Sequence, residues 1–279
     1  MTPGPLLVLL FQVSAHQAAL DAFNQHRYAE AERQFTEALK TEKTGSEEYQ
    51  ESAFLLGETL YLEKRFADAV PWFEKAAAGG ARALAAQFML GNAHLARREN
   101  GKAVEIFSSV FQVPPGSAAA HLLTAEMMLR ERLTEDGEKE ARRALELDAR
   151  TPQAHFLLGE AALSRGDAAQ AIVEFRKEIE LNPAFAMAYY RLGDACIRQS
   201  AWDDAVSWLQ RSLWLNPNSS GPYVLLGQAY LNRGDLDDAE AALRHALQMD
   251  PRNRPAHRLL GQTLLRAGKT EEGNKELAQ

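Results

Sequence analysis

TPQAHFLLGEAALSRGDAAQAIVEFRKEIELNP, residues 151–183, reads as two helices joined by a short turn. Residues 153–164 and 168–181 are rich in Ala, Leu and Glu, which lose little on entering a helix. Arg165-Gly166-Asp167 supplies the turn between them. Thr151-Pro152 reads as an N-cap followed by Pro at the first helical position. Leu181-Asn182-Pro183 closes the second helix, because Pro has no N–H to continue it. Gly159 and Ala171 are small where the two helices of such a hairpin cross, and Phe175 fills the space beside them. Neither helix buries its apolar face alone, so the pair needs neighbours stacked on it.

The neighbours are in the sequence. Leu-Gly recurs at Leu56-Gly57, Leu90-Gly91, Leu158-Gly159, Leu192-Gly193, Leu226-Gly227 and Leu260-Gly261, with spacings of 34, 68, 34, 34 and 34 residues. One register, Thr124-Ala125, departs from the pattern. Twelve residues after each Gly stands a small residue: Ala69, Ala103, Ala171, Ala205, Ala239 and then Gly273. Four further on stands a large one: Phe73, Phe107, Phe175, Leu209, Leu243 and Leu277. Pro115, Pro183, Pro217 and Pro251 follow at a fixed distance. Units therefore begin near Gln50, Leu84, Ala118, Pro152, Ala186, Ser220 and Arg254. One more precedes them, with Ala31 and Phe35 in its small and large slots. The interval from Ala31 to Ala69 is 38 residues, and the polar stretch Thr44-Gly45-Ser46-Glu47 is expected to loop out the excess. The last unit has a full first helix and a short polar second one over 270–279.

This Leu-Gly…Ala…Phe…Pro register at a 34-residue period resembles the tetratricopeptide repeat family over nearly the whole chain. The resemblance implies an all-α fold: a right-handed superhelical solenoid of tandem helix-turn-helix repeats. Residues 15–279 would hold about seven full repeats and a partial terminal one, after an N-terminal apolar segment at 1–14. It also implies that the first helices line a concave surface where peptides or partner helices bind. One position after each Gly, the slots run Glu58, Asn92, Glu126, Glu160, Asp194, Gln228 and Gln262. Three before each Gly they run Phe54, Phe88, Leu122, Phe156, Tyr190, Val224 and Arg258. A groove striped with acids and aromatics favours an apolar segment that carries Lys or Arg. In a second reading the aromatics pack between neighbouring helices and the acids form a solvated edge. The Lys/Arg/Asn clamp with which some members hold a terminal carboxylate is not met, since only Asn92 matches it.

Composition bounds the rest. The chain has 279 residues, 46% hydrophobic and 25% charged, with a net charge of −7. A net acidic charge argues against nucleic acid as the main partner, since backbone binding needs clustered Lys and Arg, and leaves a local basic patch open. Cys196 is the single cysteine, so neither an internal disulfide nor a cysteine zinc site is available. Leu6 to Phe11 is an unbroken apolar run followed by Val13-Ser14-Ala15, which resembles a secretory leader with a small-x-small cut site. Met1 to Pro5 carries no Lys or Arg, and the run is far short of the roughly 20 residues of a membrane span. A leader at 1–15 implies a periplasmic or secreted protein; without one the protein is cytoplasmic.

No catalytic or cofactor motif emerges. Gly268-Lys269-Thr270 looks like the end of a phosphate loop, but Thr263 stands where its first Gly belongs. His121, His155 and His257 share one slot in three units, and equivalent helices ~8–10 Å apart hold them too far from one another to share a metal ion. Trp202 shares a slot with Tyr28 and Phe66 and is expected in the core. Trp72 and Trp208 share a slot that is polar elsewhere, and are expected to be half-buried or to form a second contact surface. The expectation is a non-catalytic protein-binding scaffold with no cofactor and no metal. A self-associating assembly protein (a homo-oligomer) and the regulatory array of a larger enzyme are the alternatives.

Overall fold

The structure is a computed structural model and describes residues 15–279. The apolar segment 1–14 lies outside the described residues. Among the described residues there are sixteen helices and no strand. They follow one another as α1 (Ala15–Asn24), α2 (Tyr28–Thr41), α3 (Glu47–Leu62), α4 (Phe66–Ala77), α5 (Ala83–Ala96) and α6 (Asn100–Val110). Next come α7 (Ala118–Arg130), α8 (Thr134–Leu147), α9 (Ala154–Ser164), α10 (Ala168–Leu181) and α11 (Ala186–Arg198). The last are α12 (Trp202–Leu215), α13 (Ser220–Arg233), α14 (Leu236–Met249), α15 (Arg254–Arg266) and α16 (Thr270–Leu277). No described helix is long and apolar enough to cross a membrane. Two compact units divide the chain between Thr124 and Ala125.

In the first unit each helix packs on the next from α1 to α6, and α3 also touches α5. Its core runs through Ala31, Phe35, Leu56, Leu60, Ala69 and Phe73, the small and large slots together with the Leu-Gly helix. The excess residues before α3 are used differently from expectation. Ser46 caps α3 by accepting from the Tyr49 N–H at 3.2 Å, so Glu47 opens the helix instead of belonging to the loop.

In the second unit the small glycine sits where the large ring arrives. A methyl group placed on Gly159 would lie 2.4 Å from Phe175 Cε1, nearer than atoms can approach. The same contact recurs between Gly193 and Leu209 and between Gly227 and Leu243. The register at Thr124-Ala125 is not a defect but a different solution of the same packing. Ala125 replaces the glycine, and the large slot opposite becomes Ala141, both fully buried. The next small slot becomes Gly137, where a Cβ would meet Leu129 Cγ at 2.9 Å.

The opening of α9 also differs from the sequence expectation. Thr151 does not cap it: the Thr151 hydroxyl donates to the Asp148 carbonyl at 2.7 Å and the Ala144 carbonyl at 3.3 Å. Pro152 lies in the turn, Gln153 is left-handed at φ 67°, and the helix starts at Ala154. The cap comes from the other helix of the hairpin. Glu178 of α10, fully buried, accepts from the Gln153 N–H at 2.9 Å and from the Phe156 N–H at 3.4 Å.

Inside a hairpin, the position four before the glycine slot meets the position nineteen residues on. His155 Nδ1 lies 2.7 Å from Glu174, His257 Nδ1 lies 2.6 Å from Glu276, and the Tyr189 and Trp208 rings are 6.0 Å apart. His155 and His257 of this slot are therefore cross-hairpin partners of glutamates. Trp208 and Trp72 are half-buried, and Trp202 is half-buried against the second unit's core. Hydrogen bonds to Glu276 and to the Pro251 carbonyl raise the His257 pKa above 6.5. A raised folded-state pKa stabilises the fold fully below the unfolded value and ceases to do so as pH rises through the folded value. The melting-temperature gap between wild type and His257→Ala is therefore expected to shrink as pH is raised from 6 to 9. A gap independent of pH contradicts the ion pair.

Cys196 is buried in α11, and burial pushes its thiol up to about 11. Only the thiolate attacks disulfide reagents. Native protein is expected to leave Ellman's reagent unreacted until denaturant opens the second unit, and rapid native labelling would contradict that burial.

Candidate binding surface

The slots after and before each glycine place the predicted residues on first helices, and the two units treat them differently. In the first unit, α3 buries Phe54 to 6% exposure, its ring 6.0 Å from Phe73. The Arg82 guanidinium covers it at 5.2 Å, within cation–π range. Glu58 is half-buried, and burial raises its pKa against the pull of Arg82. On α5, Phe88 is half-buried with its ring 5.7 Å from Phe107, and Asn92 is buried at 8% exposure. Phe54 and Asn92 thus serve packing, and little of either is left for a partner. Arg82 is held by Glu51 at 2.8 Å. A cavity of about 290 Å³ opens beside that pair, and none of the predicted residues lines it.

The second unit gathers three of its predicted residues, and Tyr190, Asp194 and Gln228 lie outside the group. A cavity of about 340 Å³ opens between the end of α7 and α9, with Glu126, Phe156 and Glu160 in its wall beside Leu129 and Leu157. Phe156 is half-buried, its ring 5.7 Å from Phe175 and 5.1 Å from Phe185, so it is fixed from two sides. Phe156 and Glu160 are one helical turn apart and share a face of α9. Glu160 Oε2 accepts from Arg191 at 2.7 Å, while Oε1 is buried with no hydrogen-bond partner. Burial raises the Glu160 pKa, and Arg191 offsets only part of that. Arg191 lies 3.9 Å from Asp194 and 5.8 Å from the centre of the half-buried Tyr190 ring. Burial likewise raises the Tyr190 pKa. Gln228 is half-buried on α13.

The basic partners are what the sequence reading missed. Glu126 is bound to Arg130 at 3.2 Å and Asp194 to Arg198 at 3.3 Å, both at i,i+4 spacing. That spacing is a signal visible in the sequence. The Glu160–Arg191 pair spans 31 residues and becomes visible only when two repeats are laid side by side. The face is therefore one of alternating charge with aromatic walls, not a bare ladder of carboxylates. It can grip an apolar side chain and exchange one ion partner for another; it carries no nucleophile–base arrangement. Among the described residues no group of three His, Cys, Asp or Glu could hold a metal ion.

Comparison with known proteins agrees with this architecture. No curated protein matches the chain in sequence. MamA from Desulfovibrio magneticus RS-1, from residue 41 to its end, superposes with a TM-score of 0.54 at 23% identity, over 58% of this chain and 91% of that one. YrrB, described as a TPR protein with an unusual peptide-binding site, gives 0.54 at 22%, over 63% and 90%. The Cut9–Hcn1 hetero-tetramer of APC/C gives 0.54 at 15%, over 92% and 49%. At such identities the likeness is one of fold. The tetratricopeptide repeat model itself matches residues 16–87, 129–184, 174–221 and 224–273. Those spans carry the glycine, small and large slots whose contacts build both cores, and the chain belongs to the tetratricopeptide repeat family.

Proposed function

We propose that the protein is a non-catalytic scaffold that binds an extended or helical segment of a partner protein on the first helices of residues 125–279. The observation that carries this reading is the cavity of about 340 Å³ that Glu126, Phe156 and Glu160 share. Its aromatic and leucine walls suit an apolar side chain, and the unpartnered oxygen of Glu160 suits a Lys or Arg from the same segment. YrrB, with its peptide-binding site on a related fold, lends the reading a precedent. The partner's cation has to compete with Arg130 and Arg191, so affinity rests on apolar burial and the charges select among partners.

A random linear-peptide library displayed on phage and selected against the intact chain tests this. Selected peptides are expected to combine apolar residues with Lys or Arg. Phe156→Ala is expected to weaken them at least tenfold, about 1.4 kcal/mol, while the helical circular dichroism stays unchanged. Peptides without basic residues, or peptides indifferent to Phe156→Ala, overturn the reading.

A further inference from the structure

Two apolar side chains stand in water at one end of the α11–α12 hairpin, the end where the Ser212 hydroxyl donates to the Ala186 carbonyl at 2.9 Å. Trp214 of α12 is 69% exposed, and Met187 of α11 is 47% exposed. The repeat does not require either of them. In other units the Trp214 slot holds Gln112, Glu146, Glu180 and Gln248, and the Met187 slot holds Glu51, Gln153 and Gly221. The array therefore packs with small or polar side chains at both places. A large apolar side chain stabilises a fold by leaving water, and Trp214 stays in it. The Arg211 guanidinium lies 4.1 Å from the centre of the Trp214 ring, within cation–π range, and makes no ion pair among the described residues. Trp and Arg are the side chains that most often carry the binding energy where two protein surfaces meet. The turn 216–218, exposed throughout, follows directly, so this end of α12 stands out where a concave surface can receive it.

We infer that, with the surface around Phe156 binding as proposed above, its occupant is a second copy of this chain: the Arg211–Trp214 turn of one copy docks into the Phe156–Glu160 cavity of the next. The two sides match in chemistry. The cavity offers an aromatic and leucine wall, and the Trp214 ring is an apolar group without a protein neighbour to cover it. Glu160 holds a carboxylate oxygen with no hydrogen-bond partner, Glu126 adds a second carboxylate in the same wall, and Arg211 brings a guanidinium that no carboxylate of its own chain occupies. Arg211 and Trp214 are one helical turn apart, as are Phe156 and Glu160, so ring can meet ring while charge meets charge. Trp214 does not line the cavity of its own chain. The contact therefore joins two different surfaces of two copies, and each copy that fills a cavity still has its own cavity open. Head-to-tail contacts of this kind build open chains, or rings where the rotation closes.

Sedimentation velocity of the intact chain over a range of concentrations tests this. Wild type is expected to rise above the mass of one chain as concentration increases. Trp214→Ala and Phe156→Ala are each expected to associate at least tenfold more weakly, with the helical circular dichroism unchanged. Arg211→Glu, which sets a carboxylate against Glu126 and Glu160, is expected to do the same. Arg211 and Trp214 are exposed, so replacing them leaves the core untouched. Mixed in equal amounts, Trp214→Ala and Phe156→Ala are expected to form a dimer and nothing larger, because one intact turn then meets one intact cavity. A wild type that stays monomeric, association that survives Trp214→Ala or Phe156→Ala, or a mixture that does not pair overturns the self-docking. The selected peptides separate this outcome from failure of the surface itself. A monomeric wild type that still captures Phe156-dependent peptides sinks the self-docking alone, whereas a chain that neither associates nor captures such peptides sinks both.

Discussion

Gly159→Ala is expected to destabilise the wild-type chain by about 1–3 kcal/mol, the usual cost of overfilling a packed core, and to stop doing so once Phe175 is Ala. The new methyl would fall 2.4 Å from the Phe175 ring, which is fully buried and has nowhere to move. Phe175→Ala alone removes that ring and is expected to cost about 3–5 kcal/mol, since a buried aromatic leaves a cavity that relaxes only partly. In the Phe175→Ala background the same methyl enters the cavity. Replacing a helical glycine also gains up to about 1 kcal/mol of propensity, so the second substitution becomes neutral or stabilising. The protein already uses this combination at Ala125 and Ala141, with Gly137 in the adjoining small slot. Denaturant unfolding of the four members of the cycle measures the coupling. Additive costs for Gly159→Ala and Phe175→Ala would show that the crossing is not where the hairpin is held.

Much of the fold is legible in the sequence because the crossing of two helices demands a small residue and a large one at a fixed separation. That demand recurs every 34 residues, so chance matches average out. The same logic hid the Ala125–Ala141 exchange, which breaks the pattern residue by residue: Ala125 and Gly137 fill the two small slots, and Ala141 stands where a large residue stands elsewhere. The cross-hairpin partners nineteen residues apart escaped for a related reason: His155 with Glu174 and Tyr189 with Trp208 conserve contact, not residue type. Of the candidate surface, Phe156 and Glu160 are placed together by one turn of helix. Phe54 in the equivalent slot is covered by Arg82, which lies outside the helix that carries it.

Glu178→Ala is expected to cost about 1–3 kcal/mol, the penalty for stranding buried backbone donors, although it installs the residue that occupies the same slot at Ala76, Ala144 and Ala246. Elsewhere the small side chain suffices. Here Gln153 turns left-handed and Thr151 faces back toward α8, so the first turn of α9 has no local cap. The buried carboxylate supplies it across the hairpin, and its negative charge lies at the positive end of the helix dipole. Glu178→Gln keeps an acceptor oxygen but loses the charge, and is expected to fall between wild type and Glu178→Ala. The damage should be local. Hydrogen exchange at the amides of residues 153 and 156 is expected to accelerate more than at α13, and an unchanged exchange pattern would show that the carboxylate is not the cap. The consequence reaches the surface as well. Phe156 donates its own N–H to Glu178 and presents its ring to the cavity, whereas Glu178 does not line that cavity. Loosening the cap should therefore weaken the selected peptides without removing an atom they touch, which ties the proposed site to a helix start that the local sequence alone misplaces.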